Sequence, residues 1–210
     1  MVFQLLPDLI QFPDPALAED DGLLAYGGDL SEARLRLAYS MGIFPWYSEG
    51  EAILWYAPHE RCVIFPEKIK VSKSMAQLLK KDVFHITSNQ NFEAVILNCA
   101  RVPRKDQDGT WITNDMQNAY INLHKMGVAH SVEVWQEGRL VGGLYGIIVN
   151  RVFCGESMFS LVPNASKTAL VWLSRNPGLK LIDCQLPNQH LLSMGAEMID
   201  SAIFRQILNA

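Results

Sequence analysis

From Ser131 to Gln185 the apolar residues recur mostly at the two-residue period of β-strands, and that run restricts this chain to folds built around a sheet. Val132 to Gln136, Leu140 to Val149 and Val152 to Phe159 are separated by Glu137-Gly138 and Asn150-Arg151. Two such residues leave room only for tight turns, so an antiparallel meander is expected. A helix from about Ala165 to Arg175 should lead through Asn176-Pro177-Gly178 into a strand from Lys180 to Cys184. A short helix from Ser201 to Leu208, capped by Asp200, should follow.

Upstream, the punctuation is helical. Ser31 can cap a helix that runs through Met41 and stops at Gly42, Ser72 one that reaches Lys81, and Asn91 one that reaches about Arg101. Thr113 can cap a fourth that ends before Gly127. Ile43-Phe44-Pro45-Trp46-Tyr47 cannot continue a helix, and its three aromatics should form a domain seam or a pocket wall. Residues 102–109 are polar and contain proline, which predicts a mobile loop. Helix-helix-strand-strand-strand-helix-strand-helix resembles an α/β acyltransferase core, of α/β (α+β) class.

Polar groups interrupt the strands where a buried sheet should not tolerate them. On strict alternation Leu181, Asp183 and Gln185 share one face of their strand, and Ile182 and Cys184 the other. Glu156 follows Gly155 in a second strand, where the glycine permits close approach of backbone or ligand. A buried unpaired carboxylate would cost several kcal/mol, on the order of the desolvation of any lone polar group, so these residues are scaffold bonds or a site. Their occurrence on two strands predicts a shared cleft.

With 210 residues, 49% of them hydrophobic, the chain can bury a sizeable core. No apolar run approaches the roughly 18 residues of a membrane span, and Asp8 and Asp14 interrupt the N-terminal region, so neither membrane nor signal peptide is expected. Cys62, Cys99, Cys154 and Cys184 contain no CxxC pair and read as reduced, buried thiols of a cytoplasmic protein. His59, His85, His124, His130 and His190 lack ligand spacing, so no metal and no cofactor are expected. The net charge of −4 is uneven, at −8 over residues 1–60, +6 over 61–105 and −2 thereafter. The basic middle, with Lys73, Lys80, Lys81, Arg101 and Arg104, reads as a phosphate-binding face or as a solvated helix surface.

Several long motifs occur in one order: Tyr26-Gly27-Gly28-Asp29-Leu30-Ser31, Gly42-Ile43-Phe44-Pro45-Trp46, Gly109-Thr110-Trp111-Ile112-Thr113 and His130-Ser131-Val132-Glu133-Val134-Trp135, followed by Gly155-Glu156-Ser157-Met158-Phe159-Ser160, Asn164-Ala165-Ser166-Lys167 and Ile182-Asp183-Cys184-Gln185. Together they resemble the leucyl/phenylalanyl-tRNA protein transferase family, over residues 23–199. The resemblance implies a small N-terminal domain, residues 1–62, and a GNAT-like domain, residues 63–210, with a mixed, largely antiparallel sheet flanked by helices. It implies transfer of Leu or Phe, and less readily Met, from aminoacyl-tRNA to the N-terminal Arg or Lys of acceptor proteins, marking them for N-end-rule degradation. Residue by residue, it implies that Gln185 faces the reacting centre and orients the attacking amine, polarised by Asp183, which could instead pair with the acceptor's basic side chain. Glu156 would bind the free α-amino group of the aminoacyl moiety. Phe153, Met158, Ile182 and Leu144 would form an apolar cup, with Trp46, Trp111, Tyr39 and Tyr120 nearby. The terminal adenine would stack on Trp46 or Trp111.

This sequence departs from the family pattern at Leu161, where Arg is usual, and at Tyr56-Ala57, where Trp-Ser is usual, and the stretch between Lys167 and Leu181 is short. A CoA-dependent N-acyltransferase would need a glycine-rich pyrophosphate loop before the helix, and residues 161–167 contain no glycine. A non-catalytic module that binds tRNA or senses protein N-termini would keep the patch and the pocket and tolerate loss of Gln185.

Overall fold

The computed structural model describes residues 1–102 and 110–210, so the expected loop over residues 102–109 and Arg104 within it fall, Val102 apart, outside the described residues. Four short strands, β1 (Phe3–Leu5), β2 (Leu23–Gly27), β3 (Phe44–Pro45) and β4 (Leu54–Tyr56), form a small sheet in the order β1-β2-β4-β3, with α1 (Glu32–Ser40) between β2 and β3. Next come β5 (Glu60–Ile64), α2 (Lys73–Lys80), β6 (His85–Ser88), α3 (Phe92–Arg101) and α4 (Asn114–Lys125). The meander is β7 (Ala129–Gln136), β8 (Arg139–Val149) and β9 (Val152–Ser160), and α5 (Ala165–Ser174), β10 (Leu181–Gln185), α6 (Gln189–Ser193), β11 (Glu197–Asp200) and α7 (Ser201–Asn209) follow.

Seven strands form the large sheet in the order β11-β5-β10-β9-β8-β7-β6. Only β9 and β10 run parallel, and the helix α5 supplies the long crossover that parallel neighbours require. The expected mixed, largely antiparallel sheet flanked by helices is therefore present. Ser31, Ser72, Asn91, Thr113 and Asp200 each accept a backbone N–H at the start of their helices, as expected of N-caps. Both meander turns have positive φ at both residues, +50° and +75° at Glu137-Gly138 and +45° and +71° at Asn150-Arg151, the geometry that matches the twist of adjoining strands.

Alternation along the strands divides the apolar side chains between two cores. Phe92, Val95, Tyr120, Tyr145 and Leu181 lie on one face, with α3 and α4. Val132, Leu144, Phe153, Ile182 and the apolar side of α5 lie on the other. The first core continues into the small sheet, through Leu24, Phe44 and Trp55, and into α7, through Phe204 and Leu208. Strand β5 crosses residue 62 and belongs to the large sheet.

Three features differ from the alternation read off the sequence. Strand β10 starts at Leu181 and extends to Gln185, with a register shift between Asp183 and Gln185 that makes Cys184 a bulge. Gln185 has φ of +61°, a left-handed conformation that costs an L-residue about 1–2 kcal/mol. A second shift opposite Tyr145-Gly146 makes Glu156 the bulged residue of β9. Gln185 thus leaves the face of Leu181 and Asp183, and Ile182 and Gln185 line the same cavity.

Gly142 is where α5 seats on the sheet: a Cβ there would stand 2.5 Å from Cβ of Ala165. We expect Gly142→Ala to lift the helix and destabilise the protein by about 1–3 kcal/mol, as overpacking does, read as a lower urea midpoint with unchanged slope.

Candidate active site

Parallel pairing of β9 and β10 ends at Asp183 opposite Cys154. Beyond that register the two bulges take the strands apart, and a cavity of about 270 Å³ opens between them. Leu144, Phe153, Met158 and Ile182 line it, as the resemblance implies, together with Trp111, Glu156, Asp183 and Gln185. Leu170, Asn188 and Leu191, which the sequence reading did not single out, complete the wall from α5 and the start of α6. Trp111 also lines a neighbouring cleft of about 800 Å³ with Trp46, Tyr47 and Tyr56. Trp46 stands there and not in the first cavity.

Glu156 and Gln185 meet across the cavity: Nε2 of Gln185 donates to Oε1 of Glu156 at 2.6 Å. When Glu156 is ionised it accepts only, so its partner is the amide NH₂, and Oε1 of Gln185 is left to accept from a further donor. Tyr120 donates to Oε2 of Glu156 at 3.0 Å and is itself hydrogen-bonded to Tyr39. Both tyrosines are buried and neither lines the cavity. They hold Glu156 from behind, next to the cavity and outside its wall.

Burial pushes the Glu156 carboxyl up to about 7, against the hydrogen bonds from Tyr39 and Tyr120 that favour its charged form; the charge of Asp183 adds to the rise. Burial, followed by the charge of Glu156, raises both tyrosines well above their ordinary range, so they remain donors.

Asp183 is fully enclosed and held by Arg61, a residue that the sequence reading missed. Nε and Nη2 of Arg61 donate to Oδ1 and Oδ2 at 2.8 and 2.7 Å, a bidentate fork. Nη1 donates to the Gly42 carbonyl at 3.1 Å, and the guanidinium lies between the rings of Phe44 and Phe204, 4.7 and 4.8 Å from their centroids. Asp183 also accepts the backbone N–H of Gln185 at 2.9 Å. It therefore holds Gln185 by the main chain, with its own carboxylate enclosed and gripped by Arg61.

The basic residues are divided between two helices. Lys73, Lys80 and Lys81 are carried by α2 or its cap, whose Leu78 and Leu79 pack on one core, whereas Arg101 ends α3, which belongs to the other. The two helices therefore pack on opposite faces of the large sheet. Leu161, where Arg is usual, is exposed.

Residues 63–209 match the family model described as leucyl/phenylalanyl-tRNA protein transferase, and residues 28–59 match the model for its N-terminal domain. The chain belongs to this transferase family. It is 52% identical over 212 residues to the leucyl/phenylalanyl-tRNA protein transferase of Flavobacterium johnsoniae, with 100% of both chains covered. It is 50% identical over 202 residues to that of Lawsonia intracellularis, covering 95% of this chain and 89% of the relative. Among solved structures, a GCN5-related N-acetyltransferase from Kribbella flavida aligns over 77% of this chain and 58% of its own, with a TM-score of 0.41 and 10% identity. Its membership of the transferase family makes the protein an aminoacyltransferase. No helix among the described residues is long and apolar enough to cross a membrane.

Two outcomes follow from this transferase site. Arg61→Met should destabilise by about 3–5 kcal/mol because it strands the Asp183 charge, and adding Asp183→Leu should recover part of the loss; a denaturation double-mutant cycle reads this. Between pH 4.5 and about 7 the folded protein keeps a Glu156 proton that the unfolded chain has released. Stability should therefore fall as pH rises through that window, by about 3 kcal/mol at ~1.4 per unit, and Glu156→Gln should abolish this part of the pH dependence in parallel melts.

Proposed function

We propose that this enzyme moves Leu or Phe, and less readily Met, from aminoacyl-tRNA to the N-terminal Arg or Lys of acceptor proteins, and so marks them for N-end-rule degradation in the cytoplasm. The observation that carries this reading is the apolar cavity closed at its polar end by the Glu156–Gln185 pair. An aminoacyl ester is already activated and a protein N-terminal amine, with a pKa of about 7.7–8.0, is partly neutral at cellular pH, so no covalent nucleophile is needed. Holding amine and ester together then supplies much of the rate.

Leu144, Phe153, Met158 and Ile182 take the aminoacyl side chain. Met158 is flexible enough to admit a branched or a flat group, and a cup of this kind discriminates by only about 1–3 kcal/mol per methylene, which suits a relaxed choice among Leu, Phe and Met. Glu156 receives the α-amino group: its carboxyl near neutrality ionises fully when that cation arrives. Gln185, fixed through Nε2 by Glu156 and through its backbone by Asp183, offers Oε1 to the attacking amine. Trp46 and Trp111 line the adjoining cleft and provide stacking faces for the terminal adenine. Phosphates fall to Lys73, Lys80, Lys81, Arg101 and Arg104. Residues 1–62 and 63–210 act as two units in this reading, with the small sheet wholly inside the first.

With Leu-tRNA and an Arg-initiated peptide, mass spectrometry should show a leucine-sized gain that an Ala-initiated peptide lacks. Gln185→Ala should lower kcat about 100-fold with tRNA affinity unchanged, since orientation and not binding is lost. The kcat/KM for aminoacyl-tRNA should rise with pH through an apparent pKa near 7, and Glu156→Gln should remove that limb. Tight tRNA binding without any peptide gain would move the assignment to a non-catalytic tRNA-binding module.

A further inference from the structure

Two thiols stand together at the bulge that carries Gln185. Cys62 on β5 is opposite Gln185 in the register, and the bulge brings Cys184 across from it as well. Ile64 and Ile182 pair on the same two strands and belong to one core, and two residues further along each strand Cys62 and Cys184 return to that face. The two thiols shift each other's proton affinity, Cys184 donates to the Ile182 carbonyl, and both cysteines are free. Cys62 is fully enclosed, whereas Cys184 is half-buried and forms part of the cavity wall, so it is not the sealed thiol that the sequence suggested. Facing residues of an antiparallel pair have Cα atoms about 4.5–5.5 Å apart, within the roughly 4.4–6.8 Å that a disulfide accepts.

We propose that Cys62 and Cys184 are a reversible disulfide modification site, closed by a small hydroperoxide that enters the aminoacyl cavity. Cys184 Sγ donates to the Ile182 carbonyl at 3.9 Å, and its interaction with Cys62 lowers the thiol of Cys62 and raises that of Cys184. Loss of the Cys184 proton makes the sulfur facing the cavity a thiolate. It attacks one peroxide oxygen, the O–O bond breaks, and Cys184 becomes a sulfenic acid while hydroxide leaves and takes the Cys62 proton as water. The Cys62 thiolate then displaces hydroxide from Cys184, the S–S bond forms, and the proton first released completes a second water. Two thiols lose two electrons and one peroxide gains them.

The bond draws Cys184 toward β5 and displaces its neighbour Gln185, whose backbone has little freedom at a φ of +61°. That consequence for transfer rests on the function proposed above; formation of the bond does not.

Reduced full-length protein is exposed to hydrogen peroxide, alkylated, digested without reductant and mapped by mass. The expected result is a joined pair of Cys62 and Cys184 peptides with Cys99 and Cys154 alkylated, a leucine-transfer rate lowered about 100-fold, and recovery with dithiothreitol. Cys62→Ala should give no joined peptide. Four alkylated cysteines, or Cys184 carried to the sulfinic acid without joining Cys62, would overturn the site. A bridged protein with an undiminished rate would overturn the displacement of Gln185. Reduced protein that transfers nothing contradicts the proposed function alone, since the peptide map still decides the disulfide.

Discussion

The fork between Arg61 and Asp183 is the contact on which the rest of the site depends. Taking two charges out of water is expensive, and here the cost is offset by two short parallel hydrogen bonds, a third to the Gly42 carbonyl, and two aromatic faces. The partners come from four parts of the chain. Asp183 is on β10, Gly42 follows α1, Phe44 is on β3 of the small sheet, and Phe204 is on the last helix. One guanidinium thus positions the strand that carries Gln185 against the N-terminal sheet and the C-terminus at once. With Asp183 so fixed, its acceptance of the Gln185 N–H holds a left-handed residue in an otherwise extended strand.

The cavity is made by irregularity. Regular pairing of β9 with β10 would have closed the sheet over this space, and regular alternation would have sent Ile182 and Gln185 to opposite sides. One extra residue in each strand, Glu156 in β9 and Cys184 in β10, breaks both rules near the point where the pairing stops. The polar pair that results is backed by Tyr120 and Tyr39, so Glu156 is buried and satisfied, with a proton affinity near neutrality. The arrangement gives a carboxylate that is cheap to protonate when empty and readily charged by a cationic ligand.

Much of the large sheet's meander and its helices was legible because the signals are local. Ser31, Ser72, Asn91, Thr113 and Asp200 act within three residues of themselves, and Glu137-Gly138 and Asn150-Arg151 each define a turn alone. The small sheet was not legible, since its strands are two to five residues long and carry no sustained period. Nor was β5, whose partners β10 and β11 lie more than a hundred residues downstream. Glu156, Asp183 and Gln185 stood out because polar residues inside apolar strands need partners. Arg61 did not, because an arginine at the head of a strand reads as solvent-facing until the acid it pairs with is brought to it. The bulges were invisible for a related reason: a period of two says nothing about where it is interrupted.

The ring of Phe204 over Arg61 also bears on when the site can exist. Residues near the end of the chain cover a guanidinium that must be in place before the strand of Gln185 is held, and β11, just ahead of them, pairs with β5 from the first third of the chain. A chain emerging from the ribosome can form α1, the small sheet and the meander from residues already at hand, but it cannot complete this site until the helix that carries Phe204 has been made. A nascent protein of this architecture has its folded parts present before the cavity between β9 and β10 is held in place.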